Sequence, residues 1–258
     1  MLMTEEKTQQ TEEVEAQEAP VEVDSMVKEM FEAGMHLGYS VTSRNPKMEP
    51  FIFGLRNGVE IFDLEKTKNI LNGAKEFVKK LGKEKKQILF VGTKKEAKEM
   101  TQKIAVELGM PYVKERWIGG TLTNIKQIRS RIDFLNDMKK KRDTGELEKY
   151  TKKERLDITR KIEKMETYFG GLAVTFKGLP AAVLVIDSKH EKIAVKEATQ
   201  VGLPVIALLN TDCDPSLVSQ PVPGNDNSLT SISYFLSEVS KAYKEGLAAA
   251  QEEVATGK

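Results

Sequence analysis

The chain has 258 residues, which is enough for one large domain with an insertion or for two small domains. Its formal net charge is +1, but residues 1–25 carry eight acidic residues and one lysine, so the rest of the chain has a net charge of +8 and favours polyanionic partners. A single cysteine, Cys213, excludes an intrachain disulfide, and there is neither a long apolar run nor an apolar N-terminal region, so we expect a cytoplasmic protein without a membrane span or signal peptide.

The N-terminal segment is acidic and contains few large apolar residues. Residues 1–24 cannot bury enough surface to offset the entropy of ordering, so we expect them to be disordered. Ser25 is the expected N-cap of a first helix over residues 26–33. Residues 34–40 contain two glycines and are expected to form a loop.

A β-hairpin and a long helix are predicted next. The Asn57-Gly58 pair accepts positive φ at both residues, and it joins predicted strands at 51–53 and 59–62. Asp63 is the expected N-cap of a helix over residues 64–81, because the apolar residues there follow helical spacing.

Strand and helix patterns alternate over most of the remaining chain. Buried strands are predicted at residues 88–91, 112–113, 179–187 and 203–210. Thr93 and Ser188 are the expected N-caps of the helices that follow two of these strands. Repeated strand–helix units predict an α/β fold with a doubly wound parallel sheet.

The C-terminal region is predicted to finish this core. Residues 221–232 form a turn that opens a last helix over residues 229–247, and residues 248–258 are expected to be a frayed tail. We therefore assign residues 25–124 and 170–247 to one α/β core domain.

Residues 125–169 break the alternation. Two apolar seams with spacings of three and four residues flank a polar turn, and Thr151-x-x-Glu154 is a capping box that starts the second seam. This pattern predicts an antiparallel coiled-coil hairpin inserted into the core. Residues 126–170 hold fourteen basic and nine acidic residues, so the hairpin contributes to the basic character of the body.

The stretch RWIGGTLTN, residues 116–124, joins the core to the hairpin. Its diglycine lets the backbone take positive φ and lets another group approach closely. Thr123 or Asn124 is the expected cap of the next helix. Backbone N–H groups, a helix N-terminus and Arg116 suit phosphate groups. Trp117, the only tryptophan, either stacks on a base or lies in the core, the commoner place for a lone tryptophan.

A second strand end carries two lysines. GTKKEA, residues 92–97, lacks both the mononucleotide and the dinucleotide fingerprint, so it does not predict a nucleotide site. Lys94 and Lys95 nevertheless suit one backbone phosphate at a helix start, although an ordinary strand–helix turn explains the sequence equally well.

Acidic residues follow two other strand ends, where doubly wound folds place their sites. An enzyme of a flavodoxin-like sugar-phosphate or nucleotide class is therefore the alternative function. Sequence spacing gives these groups no ligand geometry, and no nucleophile–base pair accompanies them, so we expect neither a metal nor a cofactor. The residues considered are Asp187, Asp212, Asp214 and His36.

Six long motifs occur in an order and at spacings that resemble the bacterial small-subunit ribosomal protein S2 family, over roughly residues 26–247. The resemblance implies a flavodoxin-like core, a non-catalytic role in binding small-subunit rRNA, and contacts with neighbouring ribosomal proteins, including ribosomal protein S1 where it is present. It implies no DNA partner. The motifs are RNPKMEPFIFG, ILFVGTKKEA, RWIGGTLTN, LPAAVLVIDSKHEKIAVKEA, VGLPVIALLNTDCDP and VPGNDNS.

The chain departs from the family pattern at two positions. Family members often carry histidine where Tyr39 stands and aspartate where Asn210 stands, and both differences weaken any metal site inferred from the resemblance.

An rRNA-binding role predicts that basic and polar residues on loops and at the hairpin root carry the affinity. The residues expected to bind RNA are Arg44, Lys47, Arg56, Lys94, Lys95, Arg116, Trp117, Thr121, Asn124, Lys126, Arg129 and Arg131.

Overall fold

Short runs of aliphatic residues build the strands, and helices with one apolar face connect them. A computed structural model describes residues 24–173, 175–176 and 178–255, so the predicted disordered segment lies outside the described residues except for Asp24. The strands are β1 Leu37–Ser40, β2 Ile52–Arg56, β3 Val59–Phe62, β4 Ile88–Val91, β5 Tyr112–Val113, β6 Ala182–Ile186, β7 Val205–Leu209 and β8 Gln220–Pro223. The α-helices are α1 Ser25–Glu32, α2 Leu64–Lys83, α3 Lys98–Glu107, α4 Ile125–Asp143, α5 Lys152–Ala173, α6 Lys192–Val201 and α7 Leu229–Ala255.

The main sheet is parallel and confirms the predicted fold. Its strand order is β5-β4-β6-β7-β8, and every neighbouring pair is parallel. This is the strand order of a flavodoxin-like sheet. The chain runs from β4 to the edge strand β5 and then crosses back to β6 on the other side of β4. The carboxyl ends of the strands therefore share one edge, where loops can form a site.

Two apolar layers cover the two faces of this sheet. Alternate residues of β4 point to opposite sides, so Ile88 and Phe90 pack in one layer and Leu89 and Val91 in the other. The first layer lies beneath α2, α3 and α7, and the second lies beneath α6 and the root of the α4–α5 hairpin. Burial on both faces explains why the central strands are continuously apolar.

A second, antiparallel sheet has the order β1-β3-β2. The predicted hairpin between β2 and β3 is confirmed, with φ of 51° at Asn57 and 77° at Gly58. The prediction of a loop at residues 34–40 was wrong, because residues 37–40 form β1 and pair with β3. A Cβ at Gly38 would lie 2.6 Å from the Thr211 side chain, so glycine lets this strand pack against the main domain.

The coiled-coil hairpin is present, but its root is part of the main core. The capping box is confirmed, since Thr151 N donates to Glu154 Oε2 at 2.9 Å. Helix α5 does not stop at the predicted boundary of residue 169 but continues through Gly171 to Ala173. A Cβ at Gly171 would overlap Tyr112 of β5, so this glycine permits close packing rather than a helix end.

The ends of several other elements differ from those predicted from the sequence. Asp24, not Ser25, accepts a hydrogen bond at the start of α1. Residues 220–223 form the edge strand β8 rather than part of a turn, and α7 continues beyond the predicted end at residue 247 to Ala255. Asp63 caps α2 as predicted. Within the part of the chain that the structure describes, no helix is long and apolar enough to cross a membrane.

Candidate nucleic-acid interface

The RWIGGTLTN loop leads from β5 into α4 and folds around a buried carboxylate. Glu197 of α6 accepts hydrogen bonds from Trp117 Nε1 at 3.1 Å, from Gly120 N at 2.8 Å and from Leu122 N at 3.1 Å. The side chain and backbone N–H of Thr123 donate to the same carboxylate at 3.3 and 3.4 Å. Thr123 was one of the two residues expected to cap α4, but it bonds to Glu197 and does not cap the helix.

Two residues expected to bind RNA lie inside this loop. Trp117 is only 7% exposed and packs in the core layer beneath α6, so its ring has no free face for stacking on a base. Thr121 is 1% exposed, and its hydroxyl donates to Ile118 O at 2.6 Å. Burial keeps both side chains from the surface, and their hydrogen bonds hold the loop in shape.

The outer side of the loop carries positive charge. Arg116 and Asn124 are exposed, and within the described residues Arg116 makes no ion pair. Asn124 occupies the N-cap position of α4, but its side chain bonds to no helical N–H. The first turn of α4 contains no acidic residue, and the negative charge at the start of this helix is the buried Glu197 carboxylate, which accepts from Thr123 N.

Basic residues continue along the first turns of α4. Lys126 and Arg129 are exposed and three residues apart, so they share a face of the helix. The Arg129 guanidinium also approaches Gly178, where a Cβ would lie 2.9 Å from Nη2. Arg131 is exposed but turned by about 200° from Arg129, since each residue rotates the helix by about 100°. Lys126 and Arg129 thus share one exposed face at the start of α4, Arg116 is exposed on the loop that precedes this helix, and Arg131 lies on another face.

The three basic residues of the first loop differ in environment. Arg44 lies 3.5 Å from the buried Glu60 carboxylate, and Lys47 lies 2.7 Å from Asp214. Arg56 is exposed at the end of β2, beside the hairpin turn. Two of these charges are therefore partly neutralised within the protein, although both side chains stay accessible.

Lys94 and Lys95 are not equivalent. Lys95 is exposed, whereas the Lys94 ammonium lies 2.9 Å from Asp226 Oδ2 and 3.4 Å from Asp187 Oδ2. Burial disfavours the charged form of Lys94, but these two carboxylates outweigh it and raise the pKa of Lys94. The charge of Lys94 is therefore paired within the protein, and its contact with RNA stays a prediction.

The turn around these lysines differs from the prediction. Helix α3 begins only at Lys98, and Thr93 does not cap it. Instead, Thr93 N donates to Glu191 Oε1 of the turn before α6 at 2.9 Å. Burial raises the pKa of Glu191.

The strand-end acidic residues form a polar cluster around Lys94. Asp187 has φ of 66°, and its Oδ1 accepts from Lys189 N and His190 N at 3.0 Å, so Asp187 rather than Ser188 organises the turn before α6. Burial works to raise the pKa of Asp187, but the His190 N–H and the Lys94 charge outweigh it and lower that pKa. Burial raises the pKa of Asp226 to about 6.

Both departures from the family pattern fall in this cluster. The Tyr39 hydroxyl donates to Asn227 Oδ1 at 2.9 Å and lies 3.3 Å from Lys94 Nζ. Asn210 Nδ2 donates to Asp226 Oδ1 at 2.7 Å. The positive charge in this cluster is therefore the Lys94 ammonium group. Within the described ranges, no three histidine, cysteine or acidic residues are grouped so that they could hold a metal ion.

The other residues considered for catalysis have separate partners. Asp212 pairs with Lys189 at 2.8 Å, Asp214 pairs with Lys47, and His36 stacks on Phe31 with ring centroids 4.3 Å apart. Cys213 is fully buried, and burial raises the pKa of its thiol. These contacts give each group a structural role.

Sequence reasoning missed Glu197 and Asp226. Glu197 lies among the buried residues Ala194, Val195 and Ala198 of α6, so an acidic residue within an apolar helical stripe was the available signal. Asp226 lies in a polar turn sequence that gave no such signal.

Comparison with known proteins agrees with the architecture and the motifs. The family model described as Ribosomal protein S2 matches residues 30–246. The chain belongs to the ribosomal protein S2 family. Among its relatives, small ribosomal subunit protein uS2 of a Nitratiruptor species is 43% identical over 228 residues, covering 88% of this chain and 85% of the relative.

Further members of the S2 family show similar identity. Small ribosomal subunit protein uS2 of Aliarcobacter butzleri is 44% identical over 227 residues, which cover 88% of this chain and 85% of that protein. The protein of the same name from Coprothermobacter proteolyticus is 42% identical over 220 residues, which cover 85% of this chain and 82% of that protein. The resemblance inferred from the six motifs is therefore confirmed.

Proposed function

We propose that this chain is a structural component of the small ribosomal subunit that binds small-subunit rRNA in the cytoplasm. The observation that carries the proposal is a set of three exposed basic residues, here called the basic strip: Arg116 on the loop before α4, and Lys126 and Arg129 on one face of its first turns. Basic side chains and a helix N-terminus bind phosphates without reading sequence directly. Arg56, Lys95, Asn124 and Arg131 add exposed contacts outside this strip.

The proposed role of this chain is not catalytic. The strand-end aspartates of the alternative enzyme are held by Lys47, Lys94 and Lys189, which supports a structural role for them. Asp187→Asn is therefore expected to change stability only, and a small-molecule turnover abolished by this substitution would favour the enzyme.

We further propose that the three-stranded sheet contacts a neighbouring ribosomal protein, ribosomal protein S1 where that protein is present. A groove of about 900 Å³ lies beside this sheet. Phe53 is 80% exposed there and Leu55 is 60% exposed, and apolar surface of this kind marks protein contacts. Phe53→Asp is expected to leave rRNA binding intact and to weaken capture of ribosomal protein S1.

Salt dependence of rRNA binding tests the main proposal. Affinity should fall linearly with salt on logarithmic axes, with a slope of about −0.7 to −0.9 per phosphate neutralised. Replacing Arg116, Lys126 and Arg129 together by alanine should reduce the slope by about two to three.

A matched control removes the same charge elsewhere. Lys80, Lys83 and Lys103 are exposed on α2 and α3, which cover the opposite face of the sheet. Their combined replacement by alanine should leave the slope near that of the native protein. Equal slopes for the two triple variants would reject the basic strip as the interface.

A further inference from the structure

A single carboxylate determines the shape of the loop that presents Arg116. Glu197 Oε1 accepts from Trp117 Nε1 and Gly120 N, and its Oε2 accepts from Leu122 N and from both donors of Thr123. Buried backbone N–H groups in irregular loops need acceptors, and a carboxylate offers only acceptors. Glu197 therefore replaces the hydrogen bonds that a regular element would supply.

The environment of Glu197 favours the charged form. Burial works to raise the pKa of Glu197, but the hydrogen bonds from Gly120, Trp117, Leu122 and Thr123 outweigh it, and the pKa lies below its ordinary value. Hydrogen bonds to an ionised acceptor are about twice as strong as neutral ones.

We propose that Glu197 is a positioning residue for rRNA binding, whose carboxylate holds the RWIGGTLTN loop so that Arg116 and the start of α4 face the RNA. This inference rests on the proposed function. Glu197 is 7% exposed and lies beneath the loop, so it acts through the loop and not by touching RNA. Trp117, which is adjacent to Arg116 in sequence, is fixed directly by the carboxylate.

The neutral substitution Glu197→Gln tests this role at nearly constant side-chain volume. One carboxylate oxygen becomes an NH₂ group, which faces backbone N–H donors and cannot accept from them. The affinity for full-length small-subunit rRNA should fall about tenfold or more, since an unsatisfied buried donor opposes the native loop. The far-ultraviolet circular dichroism should stay native.

The sole tryptophan provides a second readout. Because Trp117 donates to Glu197, its emission in Glu197→Gln should shift to longer wavelength and become more accessible to acrylamide. The matched control is Glu238→Gln, because Glu238 is also buried, at 6% exposed, and pairs with Lys75 and Lys241 in the opposite layer. This control should change neither the emission nor the affinity for rRNA.

The outcomes separate this inference from the proposed function. If native protein binds rRNA without the expected salt dependence, the proposed function fails. If native protein behaves as expected but folded Glu197→Gln binds rRNA as tightly as Glu238→Gln, only the positioning role is overturned. Should Glu197→Gln fail to fold, Trp117→Phe removes one donor and keeps the carboxylate. Weaker rRNA binding by Trp117→Phe supports the role, and unchanged binding overturns it.

Discussion

At the scale of single residues, Lys94 and Lys95 show how neighbouring charges take different roles. Lys94→Ala leaves Asp187 and Asp226 without their shared cation and should lower the free energy of unfolding by about 3–5 kcal/mol. Lys95→Ala removes an exposed charge and should change stability by less than about 0.5 kcal/mol. Urea unfolding of the two variants measures the difference. Equal stability of the two variants would contradict the structural role of Lys94.

The pH dependence of stability should carry the signature of Asp226. Its folded-state pKa of about 6 lies above the ordinary value of 3.8, so the stability it contributes is complete below about pH 4 and is lost as pH rises through 6. The pKa of Asp187 is lowered, so its contribution has the opposite sign and is lost as pH falls through its folded-state pKa.

Asp226→Asn isolates the first effect. Between pH 4 and pH 7, native protein should lose on the order of 2–3 kcal/mol of unfolding free energy relative to Asp226→Asn. Urea unfolding at four pH values measures this difference, and Asp214→Asn, at a half-buried aspartate outside the Lys94 cluster, serves as the control. A difference that stays constant with pH would show that Asp226 does not titrate in this range.

Residue types alone could not assign these roles. The basic positions and the RWIGGTLTN loop were singled out from the sequence, but Glu197, the partner of Trp117, and Asp226, the partner of Lys94, lie more than 70 residues away in the chain. The contacts of Arg116, Lys126 and Arg129 with RNA stay a prediction.

At the scale of elements, local patterns found the helices and central strands, and tertiary packing determined the exceptions. β8 contains Pro221 and Pro223, which are unfavourable in a central strand but tolerated here because β8 is an edge strand. Gly170 and Gly171 indicated a helix end, yet α5 continues because β5 packs closely against it. Neither exception can be inferred from periodicity, since each depends on a distant neighbour.

We expect the protein to tolerate deletion of the distal part of the α4–α5 hairpin but not of its root. Ile128, Ile132 and Leu135 of α4 and Ile162 of α5 are buried in the same layer as the main sheet. Replacing residues 126–168 with a Gly/Ser linker would remove these four side chains. At about 2–5 kcal/mol for each large aliphatic residue truncated, the combined loss is comparable to the roughly 5–15 kcal/mol stability of a typical domain. Circular dichroism of this variant should show loss of the cooperative fold.

A shorter deletion is the matched control. Replacing residues 139–157 keeps Met138 and Ile158 and leaves the buried root intact. This variant should unfold cooperatively with a moderately lower midpoint, because it loses Leu147 at the tip. Native stability of the longer deletion would instead show that the hairpin is an independent module.

For the whole molecule, the distribution of charge matters more than its sum. Residues 1–23 contain seven glutamates and one lysine, so their removal takes away a net charge of −6. The deletion should stop before Asp24, which caps α1 and pairs with Lys68. Because the deleted residues include few large apolar side chains, the unfolding midpoint should stay within about 1 °C of the native value.

Affinity for rRNA should rise when this charge is removed, since negative charge on the chain repels phosphates. A variant with glutamine in place of the seven glutamates keeps the length of the chain and should raise affinity to a similar extent. Titrations at low and high salt measure both effects, and the gain should shrink at high salt because screening weakens the repulsion. A gain from the deletion but none from the glutamine variant would assign the effect to chain length, and a fall in the unfolding midpoint would show that the segment stabilises the core.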